Sequence, residues 1–404
     1  MTGIKKVSKS KQKKSVDVSK GKGAEEKRKR GRPKKDEVEA FQKPQPMKRK
    51  RGRPPITEGK ETSSISMDEE KQEGRHPRSE KALSREFLFD LVMYIKEAVE
   101  PIARSLKGKD IVHVAPTGDP TFVIDQAAEK ALLSFLRASK QPIAYYSEDS
   151  GYSTYARVPK YLLIVDPIDG TRAAKNGFEW CTISVASTRV IERPTFKHLD
   201  NACIAELMTD RIFYAEKGGG TTIYSEDGKK RSKLSNNTDI ETLNWSMTTP
   251  GRPSYLIFNA AGKLIDLSSL RGGFFTCNSS SYSLTRLVTG QLDACVDIAT
   301  RFYKEFPEGT RDMFLKSGKG SIIGPAPYDL CPALLVAQEA GCIFTNSEGD
   351  NFDNVLLLDT HPENYQTLIA ASNSELHDYL LEFFNERIEQ VINVLKKKKA
   401  TSQQ

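Results

Sequence analysis

The sequence has no long apolar run, and it has few cysteines and histidines, which are the residues whose sulfur and imidazole groups bind metals or take part in redox chemistry. Its 404 residues include six cysteines and five histidines, and the cysteines are scattered without a Cys-x-x-Cys pair. This spacing excludes the usual zinc sites and disulfide frameworks and predicts reduced, buried thiols in an intracellular protein. No segment approaches the roughly 18 apolar residues of a membrane helix, and the lysine-rich start lacks the apolar core of a signal peptide. We therefore expect no membrane partner.

Charge is distributed unevenly along the chain. Residues 1–80 hold 25 Lys+Arg and 13 Asp+Glu, which leaves 36 basic and 40 acidic residues for the rest. The net charge of +8 therefore comes entirely from this first segment. It has few large apolar residues and many Lys, Ser, Glu, Gly and Pro, so it cannot bury enough surface to fold alone. We predict a disordered basic tail over 1–80, followed by a folded domain over 81–398 with lobes at about 81–243 and 244–398.

A basic string is repeated inside the tail. KRKRGRP occurs within 27–35 and again within 48–55, and it resembles the AT-hook, a short DNA-binding element. Glycine removes bulk and proline stiffens the chain, so each copy can lie extended in the narrow minor groove of A·T-rich DNA, with lysines on the phosphates. A generic polybasic tail or a localisation signal is the alternative. The predicted DNA contacts are Arg30, Gly31, Arg32 and Pro33 in the first copy and Arg51, Gly52, Arg53 and Pro54 in the second. DNA binding would place the protein in a nucleus or nucleoid, and without it we expect a cytoplasmic protein.

The folded region contains a second motif. The apolar run Tyr161-Leu-Leu-Ile-Val leads directly into Asp166-Pro-Ile-Asp169-Gly170-Thr171. The run predicts a strand buried on both faces, and the proline predicts a rigid turn at its end. Two carboxylates presented there are the oxygen ligands that Mg²⁺ prefers, and the Gly-Thr pair could approach an anion closely. For the Asp-Pro dipeptide alone, an ordinary capped turn is the alternative.

Asp-Pro-Ile-Asp-Gly-Thr resembles the central signature of the inositol monophosphatase-like superfamily of metal-dependent phosphatases. That superfamily includes inositol monophosphatases, fructose-1,6-bisphosphatases and 3′-phosphoadenosine nucleotidases. Other segments similar to this superfamily occur in its order, so that the resemblance covers roughly residues 82–385. These segments lie at 118–129, 147–151, 213–220, 279–294 and 328–341.

The resemblance implies an α/β fold, a layered sandwich of the sugar-phosphatase type, and a Mg²⁺-dependent phosphomonoesterase with two or three ions per site. A metal-activated water would attack the phosphate of an inositol monophosphate or related sugar phosphate. The implied metal ligands are Glu148, Asp166, the backbone carbonyl of Ile168, Asp169 and Asp329. Asp125 and Thr171 match the pair that orients and deprotonates the water, and Gly170 and Thr171 would hold the phosphate through main-chain N–H groups.

Other functions remain open at this point. A 3′(2′),5′-bisphosphate nucleotidase or a fructose-1,6-bisphosphatase is the rival enzyme, since Tyr328, Cys342 and Ile322 depart from the inositol enzymes. Cations of a polar segment at 304–320 could bind a second phosphate or form a solvated loop. A DNA-binding architectural protein with an inactive phosphatase fold is the rival from another class, although mutually repelling carboxylates would then have no reason to persist. The expected partners are a small phosphorylated substrate, A·T-rich DNA and a second copy of the chain in a homodimer.

Apolar periodicity predicts the secondary structure around these motifs. Helices are expected over 83–106, from Asp125, over 280–290, over 329–340 and over about 374–397. Strands are expected over 181–190, 202–216 and 292–298. The segment 225–242 is expected to be a polar loop, and Gly251-Arg252-Pro253 to be an ordinary turn.

Replacing Arg32 and Arg53 with Ala should weaken binding to A·T-rich DNA more than binding to G·C-rich DNA. The reason is that the narrow minor groove of A·T tracts concentrates the negative potential that these arginines would meet. Fluorescence-anisotropy titrations of the full chain at one fixed salt concentration measure both affinities. Replacing Arg75 and Arg78 removes the same charge outside the repeats and serves as the control. Equal losses on the two DNAs would show that the tail is only a polycation.

Overall fold

The computed structural model describes residues 82–114 and 120–402. The predicted tail over 1–80 and the DNA contacts of both repeats lie outside these residues. In the described part the helices are α1 (Arg85–Ser105), α2 (Val123–Ser139), α3 (Thr171–Ala174), α4 (Ser254–Ser268), α5 (Ser280–Val288), α6 (Ala299–Glu305), α7 (Pro307–Ser317), α8 (Pro327–Ala340) and α9 (Ser374–Ser402). The strands are β1 (Ile111–Val114), β2 (Pro120–Phe122), β3 (Ile143–Ser147), β4 (Gly151–Thr154), β5 (Tyr161–Asp169), β6 (Thr182–Arg189), β7 (Asn201–Glu206), β8 (Ile212–Glu216), β9 (Gly220–Ser225), β10 (Gly228–Arg231), β11 (Asn244–Met247), β12 (Gly273–Phe275), β13 (Ala294–Asp297), β14 (Ile343–Thr345) and β15 (Leu368–Ala371).

The strands build two large sheets and one small ribbon in the described part. The larger sheet has the order β10-β9-β8-β7-β6-β5-β3-β4, and the second sheet has the order β12-β11-β13-β15-β14. Neighbours in the larger sheet are antiparallel except for β3 and β5, which run parallel. In the second sheet β11 is parallel to both of its neighbours. Within residues 82–114 and 120–402, the strands β1 and β2 pair only with each other.

Apolar side chains on alternating positions of the strands divide the core into three clusters. On one face of the larger sheet, residues such as Leu163 and Val165 of β5 pack against α1 and α2. On the other face, Leu162 and Ile164 pack against α5 and α8, which also cover one face of the second sheet. The outer face of the second sheet packs against α4, α6 and α9. The resulting order of layers is helix, sheet, helix, sheet, helix, which confirms the predicted layered α/β sandwich.

Most predicted helices occur where the periodicity placed them. The helix predicted over 83–106 is α1, which begins after Ser84, whose hydroxyl accepts a hydrogen bond from the Phe87 N–H. The helix predicted over 329–340 is α8, and Gly341 ends it with a φ of +96°. All six cysteines are buried and unpaired. Among the described residues, no helix has the length and apolar character needed to cross a membrane.

Three predictions about irregular segments are wrong. The strand β5 does not end in a turn at the proline but continues through Asp169, with an irregular register between Asp166 and Asp169. The segment 225–242 is not only a loop, because it contains β10. The segment 304–320 is not a solvated loop, because it forms the end of α6 and all of α7. Phe314 of α7 is fully buried in the cluster on the outer face of the second sheet.

Replacing Leu334 with Ala should lower the free energy of unfolding by about 2–5 kcal/mol, because a cavity would form between the two sheets. Leu334 lies on α8 and is fully buried in the cluster between the sheets. Chemical denaturation followed by circular dichroism measures the change. The same replacement at Leu270, which is 92% exposed, should change stability by no more than about 0.5 kcal/mol. Equal effects at the two positions would contradict this account of the core.

Candidate active site

The candidate site begins at the carboxyl end of β5. Asp166 and Asp169 lie there with relative exposures of 3% and 8%, opposite Ser184 and Thr182 of β6. Between them Pro167 has no N–H to donate to the ladder, and the register is irregular at this point. The irregularity therefore places two buried carboxylates close together along one strand.

Three further carboxylates reach the same cavity from other elements. Asp125 comes from α2, Glu148 follows β3, and Asp329 lies in the first turn of α8. The cavity is also lined by Ile168, Gly170 and Thr171. The structure thus brings together every site residue that the sequence predicted within the folded region. Their individual roles remain predictions.

Backbone N–H groups fix the orientation of three of these carboxylates. Asp166 Oδ1 accepts a hydrogen bond from the Ile168 N–H at 3.0 Å, and Asp169 Oδ2 accepts one from the Ser281 N–H at 2.6 Å. Asp329 Oδ2 accepts one from the Ala326 N–H at 2.7 Å. Outer hydrogen bonds of this kind fix the direction of a ligand side chain before any ion arrives.

Asp125 and Thr171 form a direct pair. The Thr171 hydroxyl donates to Asp125 Oδ1 at 2.8 Å, and the Phe122 N–H donates to Asp125 Oδ2 at 2.8 Å. The helix α2 begins at Val123, so Asp125 lies in its first turn and not at its predicted start. Burial raises the pKa of Asp125 to about 6, although both hydrogen bonds oppose that rise.

The carboxylates destabilise one another when no cation is present. Burial raises the pKa of Asp166 well above its usual range, and the charges of Asp169, Asp329 and Glu148 raise it further. Burial also raises the pKa of Asp169 to about 6. A cation that compensates the charge of such a cluster stabilises it.

The donor chemistry of the cavity fits a hard divalent cation. Among the described residues, the acidic side chains that line the cavity offer carboxylate oxygens, and none of the lining residues is a cysteine or a histidine, which suits Mg²⁺ better than zinc or copper. In the described residues, no three His, Cys, Asp or Glu side chains already converge in a metal-ligating arrangement. An ion would therefore have to draw these carboxylates closer together. The hydroxyls of Thr182 and Ser184, across from Asp169 and Asp166, are buried without a hydrogen-bond partner in the described part.

The sequence profile of the inositol monophosphatase family matches residues 85–389. The chain belongs to this family. Membership places it among the phosphoric monoester hydrolases, which agrees with a cavity lined by carboxylates.

Two relatives and one solved structure illustrate the family around this chain. A fructose-1,6-bisphosphatase/inositol-1-monophosphatase of Methanothermobacter thermautotrophicus is 23% identical over 71% of this chain and 91% of that protein. A bifunctional NADP phosphatase/NAD kinase of Methanococcus maripaludis is 24% identical over 75% of this chain but only 49% of that protein. The extragenic suppressor protein suhB of Bartonella henselae has the same fold, with a TM-score of 0.56, 17% identity, and coverage of 74% of this chain and 97% of that chain.

In this family member, several other signature positions support the site from outside the cavity. The Glu339 carboxylate accepts hydrogen bonds from the N–H groups of Gly218 and Gly220, at 2.8 and 2.9 Å, and so holds the glycine turn against α8. Asp149 accepts a hydrogen bond from the Thr121 hydroxyl at 2.8 Å. These residues fasten the segments that carry Asp125, Glu148 and Asp329.

Sequence reasoning missed the cations that line the cavity. Arg172 and Arg252 are both lining residues, whereas Lys304, Arg311, Lys316 and Lys319, on which the expectation of a second-phosphate site rested, are not. The Lys304 ammonium instead donates to the Tyr365 carbonyl at 2.7 Å. Gly251-Arg252-Pro253 is a turn as predicted, with a Gly251 φ of +70°. It differs from an ordinary turn because Arg252 lines the cavity. No local pattern marks Arg252, because only the tertiary fold carries it to the carboxylates.

Replacing Gly170 with Ala should cost more stability than the same change at Gly228. Both glycines have positive φ, so backbone strain alone costs about 1–2 kcal/mol at either position. At Gly170 a Cβ would also lie 2.4 Å from the Trp180 carbonyl oxygen, whereas at Gly228 it would meet nothing within 4 Å. Thermal unfolding of both variants measures the difference. Equal losses would show that the close approach at Gly170 is easily relaxed.

Proposed function

We propose that this chain is a Mg²⁺-dependent phosphomonoesterase that hydrolyses a small phosphorylated metabolite, an inositol monophosphate or a related sugar phosphate, with water as the nucleophile. The observation that carries the proposal is the convergence of five carboxylates on one cavity, with the Thr171 hydroxyl hydrogen-bonded to Asp125. An oxygen-only cluster of this kind has no stabilising role in an apo fold, because its members repel one another.

The metal ligands in this proposal are Glu148, Asp166, Asp169, Asp329 and the Ile168 carbonyl. Two or three bound Mg²⁺ ions would supply the positive charge that offsets a phosphate dianion and would make water more acidic. The backbone N–H groups that hold Asp166, Asp169 and Asp329 keep one oxygen of each carboxylate occupied. Each side chain therefore has a defined orientation toward the cavity.

Asp125 and Thr171 would move the proton of the attacking water. The Thr171 hydroxyl has one proton, which it donates to Asp125 Oδ1, so its lone pairs can accept a hydrogen bond from a water molecule. As that water attacks, its proton passes to Thr171 Oγ1 while the threonine proton passes to Asp125 Oδ1. A carboxyl with a pKa of about 6 suits a general base near neutral pH. The main-chain N–H groups of Gly170 and Thr171 would meanwhile hold the phosphate oxygens.

Two alternative functions differ from this one in the leaving group. The relatives are named as phosphatases for sugar bisphosphates, inositol phosphates and NADP, so a bisphosphate nucleotidase or a fructose-1,6-bisphosphatase is the alternative. Turnover of inositol 1-phosphate, fructose 1,6-bisphosphate and 3′-phosphoadenosine 5′-phosphate, each with Mg²⁺, separates these substrate classes.

Binding of the tail to A·T-rich DNA is a second proposed function. It is supported by the two copies of KRKRGRP and by the excess of acidic residues in the rest of the chain, which would repel DNA. Deleting residues 1–60 should therefore abolish DNA binding and leave hydrolysis of a small substrate nearly intact. An architectural protein with an inactive fold would instead show no turnover with or without the tail.

Replacing Asp166 or Asp169 with Asn should reduce turnover by at least about 100-fold, since each change removes a charge that holds Mg²⁺. Binding to the folded state raises stability by mass action, so Mg²⁺ should raise the Tm of the wild type and not that of either variant. Without Mg²⁺ both variants should remain folded, because losing one carboxylate relieves repulsion.

Differential scanning fluorimetry with and without Mg²⁺, beside a phosphate-release assay, measures both effects. Asp227→Asn is the matched control, because that carboxylate is 80% exposed and lies outside the cavity. Full turnover by Asp166→Asn at saturating substrate would refute the ligand assignment.

A further inference from the structure

Two buried hydroxyls on β6 have no hydrogen-bond partner in the described part of the chain. They are Thr182 Oγ1 and Ser184 Oγ, and both residues have a relative exposure of 0%. Within residues 82–114 and 120–402, no other hydroxyl is buried and unpaired in this way. Buried polar groups almost always have a partner, because an unpaired one loses its hydrogen bonds to water without replacement. These two hydroxyls therefore require a physical explanation.

The strand register places each hydroxyl opposite an aspartate of the candidate site. Asp166 of β5 is paired with Ser184, and Asp169 is paired with Thr182. Directly opposite residues of an antiparallel pair point to the same face of the sheet, with Cβ atoms about 4.5–5.5 Å apart. Ala186, two residues after Ser184, packs in the cluster between the two sheets, so this is the face that α5 and α8 cover. Rotation of the side chains can therefore bring each hydroxyl to its aspartate.

The described neighbours on the other side of β6 do not compete for these hydroxyls. Ser184 is paired with Ile204 of β7, which has an apolar side chain. Thr182 is paired with Glu206, whose carboxylate already accepts hydrogen bonds from the Arg286 guanidinium and from a hydroxyl of the following turn. Among the cross-strand neighbours, the two aspartates are therefore the acceptors that remain.

Each of these aspartates can accept a further hydrogen bond. The N–H groups of Ile168 and Ser281 occupy one position on Asp166 and on Asp169, respectively, whereas an ionised carboxylate has about four lone-pair sites. In the described residues the acidic side chains do not already converge in a metal-ligating arrangement, so binding of a cation requires them to shift. Such a shift can give the two hydroxyls their missing acceptors.

We propose that Ser184 and Thr182 are positioning residues for the cation site, and that their hydroxyls hold Asp166 and Asp169 by hydrogen bonds when a cation is bound. The unpaired hydroxyls destabilise the ion-free protein, and their pairing stabilises the bound protein, so both effects favour binding. This inference rests on the proposed function, because it concerns the Mg²⁺ site of that function. It assigns a role to two residues that do not line the cavity.

Isothermal titration calorimetry with Mg²⁺ alone, beside differential scanning fluorimetry of the ion-free protein, tests this proposal. Ser184→Ala and Thr182→Val each remove one hydroxyl with little change of shape. Each variant should raise the Kd for Mg²⁺ roughly 10-fold or more, as is typical when an outer hydrogen bond to a metal ligand is lost. The Tm of each ion-free variant should be at least as high as that of the wild type, because an unpaired buried hydroxyl has been removed.

Ser187→Ala is the matched control on the same strand. Ser187 is equally buried, but its hydroxyl donates to Asn201 Oδ1 at 2.5 Å. Its removal deprives a buried acceptor of its donor, so it should lower the Tm of the ion-free protein and leave the Kd for Mg²⁺ unchanged. Thr182→Ser keeps the hydroxyl and should keep a Kd close to that of the wild type, which a role in packing alone does not predict.

Two results would overturn the inference and leave the proposed function intact. If the wild type binds Mg²⁺ and neither Ser184→Ala nor Thr182→Val changes its Kd, the hydroxyls do not act on the site. If both variants lower the Tm of the ion-free protein as Ser187→Ala does, the hydroxyls are ordinary structural groups. Should Thr182→Val fail to fold, the Kd and Tm of Ser184→Ala decide. A wild type that binds no Mg²⁺ contradicts the proposed function and this inference with it.

Discussion

Asp166 and Asp169 lie buried along one strand, with Glu148 and Asp329 close enough to raise the pKa of Asp166. Carboxylates placed this way repel one another strongly, because the protein interior screens charge poorly. A fold can hold them together only if its surrounding layers are rigid and if a cation compensates the charge at work. The layers of the sandwich and the chemistry of the cavity are therefore linked through this cluster.

The layers meet that constraint by fixing the carboxylates with elements that are themselves buried. β5 lies inside the larger sheet, and α8 lies between the two sheets in a cluster of fully buried side chains. The start of α5 supplies the Ser281 N–H to Asp169. Asp166, Asp169 and Asp329 are thus oriented by backbone that the core already immobilises, which fixes the direction in which each side chain points.

Individual residues show what a local sequence pattern can predict and what it cannot. The carboxylates of the Asp-Pro-Ile-Asp-Gly-Thr segment, with Asp125, Glu148 and Asp329, could be selected because they lie in motifs whose order in the chain is characteristic of a family. Arg252 could not, since Gly251-Arg252-Pro253 looks like any turn. The basic residues of 304–320 were misleading for the converse reason, because their charge pattern suggested a loop while Phe314 anchors a helix in the core.

The sequence by itself determined the family, the layered fold class, the carboxylate set and the repeated basic string, because each is expressed in contiguous residues or in their order. The tertiary structure alone decided that β5 runs through its proline to Asp169 and that Arg252 reaches the carboxylate cavity. These features depend on packing between elements that are distant along the chain, and hydrophobic periodicity carries no information about which distant elements meet. The position of Arg252 in the cavity wall is therefore a property of the fold.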